Sequence, residues 1–334
     1  MNNHLRSPND ASELESLLND IVSVASNASV TREKIISLIC AIAYERHFGM
    51  ADERSYFLLM DLFCSSSGRI QEISHKIRQV SRLVAKSIVL DSDNFSLTSI
   101  QFTNVIHEVC LNGYSKLPFT LSKEALEVIR CQTLSMHYDS CLTIESKLAQ
   151  CTGIDHLKAK NEGIVIARAS ESSILSSTDI ASVTYDPVIL SLMKILLGGE
   201  PLIRQISLWH SYPDSSPREM AAQFFHFDRE EFRFFKLFVF LTDVTDSSGP
   251  HIYIPRTHIR DAKPIELLKY QYAKIPDEAI NRYHPKSLWQ FITCPAGTMF
   301  IADTQCWHKG SVVVDGMRTV LQPIYSLSGF KKVF

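Results

Sequence analysis

His226 and Asp228 stand two positions apart in "QFFHFDREEFRFF" (residues 223–235), a stretch otherwise crowded with phenylalanine. An imidazole and a carboxylate are poor core residues but good ligands for a first-row transition metal. If residues 225–228 are extended, side chains alternate between faces. His226 and Asp228 then share one face while Phe225 and Phe227 pack on the other. By itself His-x-Asp does not specify a metal, because buried polar pairs are usually satisfied by hydrogen bonds alone. A further ligand must come from elsewhere, and the downstream candidates are His251, His258, His284 and His308.

His308 closes the apolar run "TMFIADTQCWH", which the turn "PAGT" sets up, and Arg318 follows ten residues later at the head of "RTVLQPIY". The link between these two runs is short enough for them to pair antiparallel, which would carry Arg318 into the same cavity as His308. A buried guanidinium needs an anion, and its planar fork matches a carboxylate. Two histidines and one carboxylate on one face of an octahedron, with the remaining positions open, form the facial triad of non-haem Fe(II) oxygenases. Two open positions suit a chelating 2-oxo acid and the third suits dioxygen. Arg318 would hold the far carboxylate of that acid.

Other polar residues fall near this constellation. Lys236 heads the apolar run "LFVFL". It is either an end-of-strand lysine reaching water or a buried cation aimed at the 2-oxo acid or the substrate. Gln322 shares the parity of Arg318, and Ser311 lies three residues after His308; both are expected to contact the co-substrate. His258 reads as a structural corner residue. His251, after Gly249 and Pro250, is structural or substrate-contacting. His210 reads as core or surface, and Trp209, Phe225 and Trp307 as packing residues.

The elements that must position these residues change character along the chain. Up to about residue 95 the apolar residues recur at helical spacing, as in "DASELESLLNDIVSVAS", "TREKIISLICAIAYERHF", "ADERSYFLLMDLFC" and "RIQEISHKIRQVSRLVAKSIVL". This part is expected to be a helical module that serves packing or homo-oligomerisation. "SIQFTNVIHEVCLNG" predicts a helix capped at Gly113. "LSKEALEVIRCQTLSMHY" and "DPVILSLMKILLGG" read as further helices. From about residue 200 the segments are short, β-branched or aromatic, and punctuated by turns, which predicts a sandwich or barrel. One helical insertion interrupts them, at "DAKPIELLKYQYAKIPDEAI".

Composition narrows the class. The 334 residues carry 45% hydrophobic and 21% charged residues and a net charge of −2, which predicts a globular chain without a nucleic-acid or membrane surface. No apolar run approaches the ~20 residues needed to span a bilayer. The N-terminal segment is polar and acidic, unlike a secretory signal, so a cytoplasmic location is expected. None of the eight cysteines forms a Cys-x-x-Cys pair, and free thiols are expected.

Residues 100–328 resemble the phytanoyl-CoA dioxygenase family of Fe(II)/2-oxoglutarate-dependent oxygenases. The matching text is "LNGYSKLP" (111–118), "HFD" (226–228), "FFKLFVFLTDVTDSSGPHIYIPRTH" (234–258), "PAGTMFIADTQCWHKG" (295–310) and "GMRTVLQPIYS" (316–326). The resemblance implies an α+β fold with a double-stranded β-helix (jelly-roll) core and flanking helices over residues 96–334, preceded by the helical module of residues 1–95. It implies that His226, Asp228 and His308 bind iron and that Arg318 binds 2-oxoglutarate. The family usually places Gly-Ser-His after the proline of the corner, whereas this chain has Arg256-Thr257-His258 after Pro255. Arg256 is expected either to alter that loop or to reach a substrate anion. Halogenating relatives lack the carboxylate, so Asp228 implies hydroxylation.

The resulting expectation is a dioxygenase that takes Fe(II), 2-oxoglutarate and dioxygen, hydroxylates an unactivated C–H of a small molecule, and releases succinate and CO2. The alternatives are a non-catalytic jelly roll that binds a metabolite or protein, and a cupin-like or hydrolytic metal site. The segments 210–223 and 261–286 would line the substrate pocket, and neither reveals the substrate's charge.

Overall fold

The computed structural model describes residues 89–197, 200–229, 233–259, 262–270 and 275–327. Most of the expected N-terminal helical module lies outside them. The first helix, α1 (Ser99–Asn112), begins where Thr98 and Gln101 form a reciprocal capping box. It ends at Gly113, whose left-handed φ of 84° turns the chain into strand β1 (Tyr114–Thr120). A Cβ on Gly113 would stand 2.9 Å from His258 Nδ1, so the corner tolerates only glycine.

Helix α2 (Lys123–Thr133) then stops earlier than the periodicity predicts. Residues 137–143 form strand β2 (His137–Thr143), which pairs with β3 (Leu148–Thr152) and β4 (Ile164–Ala169). A short helix α3 (His156–Asn161) lies between β3 and β4, and helices α4 (Glu171–Leu175), α5 (Thr178–Thr184) and α6 (Pro187–Leu197) follow. Among the described residues no single helix is long and apolar enough to cross a membrane.

The remaining strands are β5 (Leu202–Ser211), β6 (Phe234–Phe240), β7 (His251–Tyr253), β8 (Gln290–Ile292), β9 (Thr298–Ala302), β10 (His308–Gly310) and β11 (Arg318–Ser326). The large sheet has eight strands in the order β1-β9-β6-β11-β5-β4-β2-β3, and a small sheet has the order β10-β7-β8. Among the described residues every neighbouring strand pair in both sheets is antiparallel. The helical insertion contains only short helices among its described residues, α7 (Ile265–Leu268) and α8 (Asp277–Asn281).

Strand alternation divides the core into two layers. Phe235, Leu237 and Val239 of β6, Met299 and Ile301 of β9, and Leu321 and Tyr325 of β11 pack with α1 and α6. The intervening residues Phe238, Phe240, Phe300 and Val320 face the small sheet and meet Tyr253. All seven residues of β6 are buried, since helices cover one face and the small sheet covers the other. Phe238 and Phe300 stack at a 4.5 Å centroid distance. Burying such a ring contributes roughly 1.5–3 kcal/mol. An antiparallel β core with flanking helices is therefore present, as expected.

Two local expectations are corrected. His308 does not end the strand that "PAGT" begins; β9 closes at Ala302, and His308 opens β10 in the other sheet. β10 and β11 accordingly do not pair. Arg318 reaches the region of His308 from the facing sheet, with β11 hydrogen-bonded to β5 and β6.

Candidate metal centre

Residues 225–228 run beside β10, and their alternation is the one the sequence predicts. Phe225 packs against Trp289 and Phe227 against Trp307, at centroid distances of 4.7 and 4.9 Å. His226 and Asp228 project to the opposite side. His226 N–H donates to His308 O at 3.0 Å and His308 N–H donates to His226 O at 2.9 Å. This reciprocal pair is the close hydrogen-bonded register of an antiparallel ladder, which sends both side chains to one face. Asp228 N–H donates to Thr304 O at 2.8 Å, which anchors the third residue.

One potential ligand atom from each of His226, Asp228 and His308 lies within 4.8 Å of the others, and all three residues are buried. His226 Nε2 is 3.6 Å from Asp228 Oδ1, and His308 Nε2 is 3.4 Å from Asp228 Oδ2. The ring tautomers follow from the outer contacts. His226 Nδ1 lies 2.8 Å from Phe224 O and His308 Nδ1 lies 2.9 Å from Cys306 O. A carbonyl only accepts, so both Nδ1 atoms carry the proton and both Nε2 lone pairs point inward, as metal ligation requires.

Electrostatics keep His226 and Asp228 in their ligating states. Burial, and then the neighbouring His308, lower the His226 pKa to about 4, which leaves the ring neutral at pH 7. Burial acts to raise Asp228, but the Lys236 ammonium outweighs it and holds the carboxyl well below its usual range. Lys236 Nζ lies 2.7 Å from Asp228 Oδ2. The sequence left Lys236 between a lysine reaching water and a buried cation, and it is the buried cation, 5% exposed.

The donors open onto a cavity of about 400 Å³ that Lys236, His251, Arg318 and Gln322 also line. Arg318 is buried. Its Nη1 donates to Gly249 O, and its Nε has no partner among the described residues. Burial lowers the Arg318 pKa to about 10, so the guanidinium stays charged at neutral pH. A Cβ on Gly310 would stand 3.3 Å from Arg318 Nη2, so the absence of a side chain there leaves the guanidinium room. An unpaired buried guanidinium edge beside three convergent metal donors fits an anionic metal chelator.

Ser311 is not among the described residues that line the cavity. Its hydroxyl is buried without a partner among the described residues, and its N–H donates to Pro250 O at 3.0 Å. His258 serves the corner, with Nε2 3.2 Å from Cys110 O. Arg256 takes a left-handed φ of 65°, at the position where the resembled family carries glycine. It is exposed, bonds Asn112 through both its backbone N–H and its Nε, and is not among the residues that line the cavity. His284 bonds Ala262 O at 2.9 Å, away from the triad.

Sequence reasoning missed the far wall. Arg168 of β4 and Arg204, Ser207 and Trp209 of β5 also line the cavity. Ser207 and Trp209 share a parity that the run "RQISLW" carries. Arg204 does not, and it enters through a register shift between β5 and β11 opposite Ile324 and Tyr325.

No family model and no curated protein matches the chain. Among solved structures it is similar to the epimerase SnoN in complex with Fe3+, alpha ketoglutarate and nogalamycin RO, at 12% identity over 69% of this chain and 84% of that one, with a TM-score of 0.48. It is also similar to HygX from Streptomyces hygroscopicus with nickel, 2-oxoglutarate and hygromycin B bound, at 12% identity over 69% and 87%, TM-score 0.45. EctD from S. alaskensis with bound Fe gives 18% identity over 73% and 82%, TM-score 0.45.

Proposed function

We propose that the chain is an Fe(II)- and 2-oxoglutarate-dependent dioxygenase that hydroxylates an unactivated C–H of a small molecule. The observation that carries this reading is the buried His226–Asp228–His308 cluster with its inward Nε2 lone pairs, facing the same cavity as the unpaired edge of Arg318. The site belongs to the unit expected over residues 96–334, and most of the expected module of residues 1–95 lies outside the described residues.

His226, Asp228 and His308 would hold Fe(II), and Arg318 would bind the distal carboxylate of 2-oxoglutarate. Bound there, the metal and the 2-oxo acid would supply activation of dioxygen, one oxygen atom going to the substrate C–H and the other to succinate as CO2 leaves. The protein's part is positional. The carbonyls of Phe224 and Cys306 keep both Nδ1 atoms protonated, so neither imidazole turns away from the centre. Lys236 holds Asp228 Oδ2 and thereby orients Oδ1. Phe238 and Trp209 add aromatic surface to the cavity. Gln322 offers a further polar contact from β11. A zinc hydrolase would leave Arg318 without a role, and a purely binding jelly roll would not need the two fixed tautomers.

The test is turnover of 2-oxoglutarate to succinate by the Fe(II)-loaded protein in air, with His308→Ala as control. Succinate release that depends on Fe(II) and is lost in the variant supports the reading. Equal release by the variant, or zinc retention with no 2-oxoglutarate binding, would sink it.

A further inference from the structure

His251 opens β7 and is 9% exposed, and its Nε2 is buried without a hydrogen-bond partner among the described residues. A buried polar atom left unsatisfied is costly, which makes its position hard to explain by packing alone. Aromatic rings surround the imidazole, with Phe238 at 5.0 Å, Tyr253 at 5.9 Å and His308 stacked at 5.3 Å between centroids. His251 also lines the cavity.

Its place along the cavity is set by register. His251 pairs with Gly310, two residues from His308, and the missing Cβ of Gly310 would lie 3.3 Å from Arg318 Nη2. Gly249, two residues before His251, supplies the carbonyl that accepts from Arg318 Nη1. His251 therefore stacks on the His308 imidazole and lies two residues from the carbonyl that holds Arg318, on the wall of the same cavity. A 2-oxo diacid held by both the metal ligands and Arg318 would lie along this wall.

We propose that His251 is an additional anchor of the co-substrate, donating its Nε2–H to an oxygen of 2-oxoglutarate held between the triad and Arg318. The proposal rests on the dioxygenase reading of the site. Carboxylate and keto oxygens only accept, so His251 carries its proton on Nε2 when the acid is bound. That is the reverse of His226 and His308, whose Nε2 lone pairs face the metal position. His251 also stands outside the group of mutually close ligand atoms, so its role is separate from theirs.

The experiment uses the full chain, loaded with Fe(II) under anaerobic conditions and titrated with 2-oxoglutarate while the visible charge-transfer absorbance of the chelate is followed. Fe(II) affinity and thermal unfolding are measured on the same samples. His251→Leu should weaken 2-oxoglutarate binding about tenfold, the scale of one hydrogen bond to a charged acceptor. His251→Gln, which can still donate, should recover part of that loss, and Fe(II) affinity should not change in either variant. An unchanged 2-oxoglutarate affinity in His251→Leu would overturn the proposal. So would a parallel loss of Fe(II), which would make His251 a support for His308. If the unaltered protein binds Fe(II) but no 2-oxoglutarate, the dioxygenase reading itself fails and the proposal falls with it.

Discussion

His226 and His308, 82 residues apart in the chain, exchange both of their backbone hydrogen bonds. The pairing of their imidazoles is thus a property of the backbone ladder and does not depend on the ring atoms. His226→Ala and His308→Ala should each abolish tight binding of Fe(II) or Mn(II) while leaving the fold intact. Metal titration alongside circular dichroism checks this, and a variant that binds metal as tightly as the unaltered protein would remove that histidine from the ligand set.

Lys236 and Asp228 form a buried ion pair at 2.7 Å. Removing one partner strands the other, which typically costs about 3–5 kcal/mol. Lys236→Met should therefore lower the stability of the metal-free protein by roughly that amount. Added Mn(II) should restore more stability to the variant than to the unaltered protein, because the cation takes over the neutralising role. Chemical denaturation with and without metal measures both effects, and an unshifted midpoint would mean that the pair contributes no net stability.

Arg318 Nε has no partner among the described residues, and Gly310 leaves space beside the Nη2 of the same guanidinium. Arg318→Leu should raise the KM for 2-oxoglutarate about tenfold or more, on the scale of a lost charge-assisted hydrogen bond. Gly310→Ala should raise it by less, since the guanidinium must shift by only a few tenths of an ångström. Steady-state kinetics at fixed substrate separates the two variants. Equal KM values in all three proteins would place the carboxylate elsewhere.

His210 is fully buried, with Nε2 2.7 Å from Tyr138 Oη and Nδ1 2.8 Å from Thr319 Oγ1. Burial, aided by His156, lowers its pKa to about 3. A histidine whose folded pKa is depressed stabilises the fold fully above its unfolded value, and that stability drains as pH falls. Between about pH 6.5 and 3 the unfolded chain takes a proton that the folded chain refuses, so this one group removes about 1.4 kcal/mol per pH unit. His210→Asn should be less stable at pH 8 yet lose stability less steeply on acidification. Denaturation curves at several pH values test this, and parallel slopes for the two proteins would refute the assignment.

Much of the centre was legible in the sequence because it obeys a local rule. A period of two sorts Phe225 and Phe227 from His226 and Asp228, and the same parity links Arg318 to Gln322. Gly113 was legible as a helix stop because a left-handed turn favours glycine. The strands of residues 137–169 were not legible, since short half-buried segments carry too little periodicity to compete with the helical pattern before them. The wall they contribute, including Arg168, was missed for that reason.

What the sequence by itself determined is the set of donors: which residues can ligate, which face each takes along its own segment, and that a buried Arg318 demands an anion. Only the tertiary structure decided how they meet. It put His308 and Arg318 on opposite sheets, turned Lys236 onto Asp228, re-aimed Arg204 through a register shift, and left His251 Nε2 without a partner among the described residues. The physical reason is that parity is fixed by a residue's immediate neighbours. Register between strands is fixed by hydrogen bonds and packing among segments far apart in the chain.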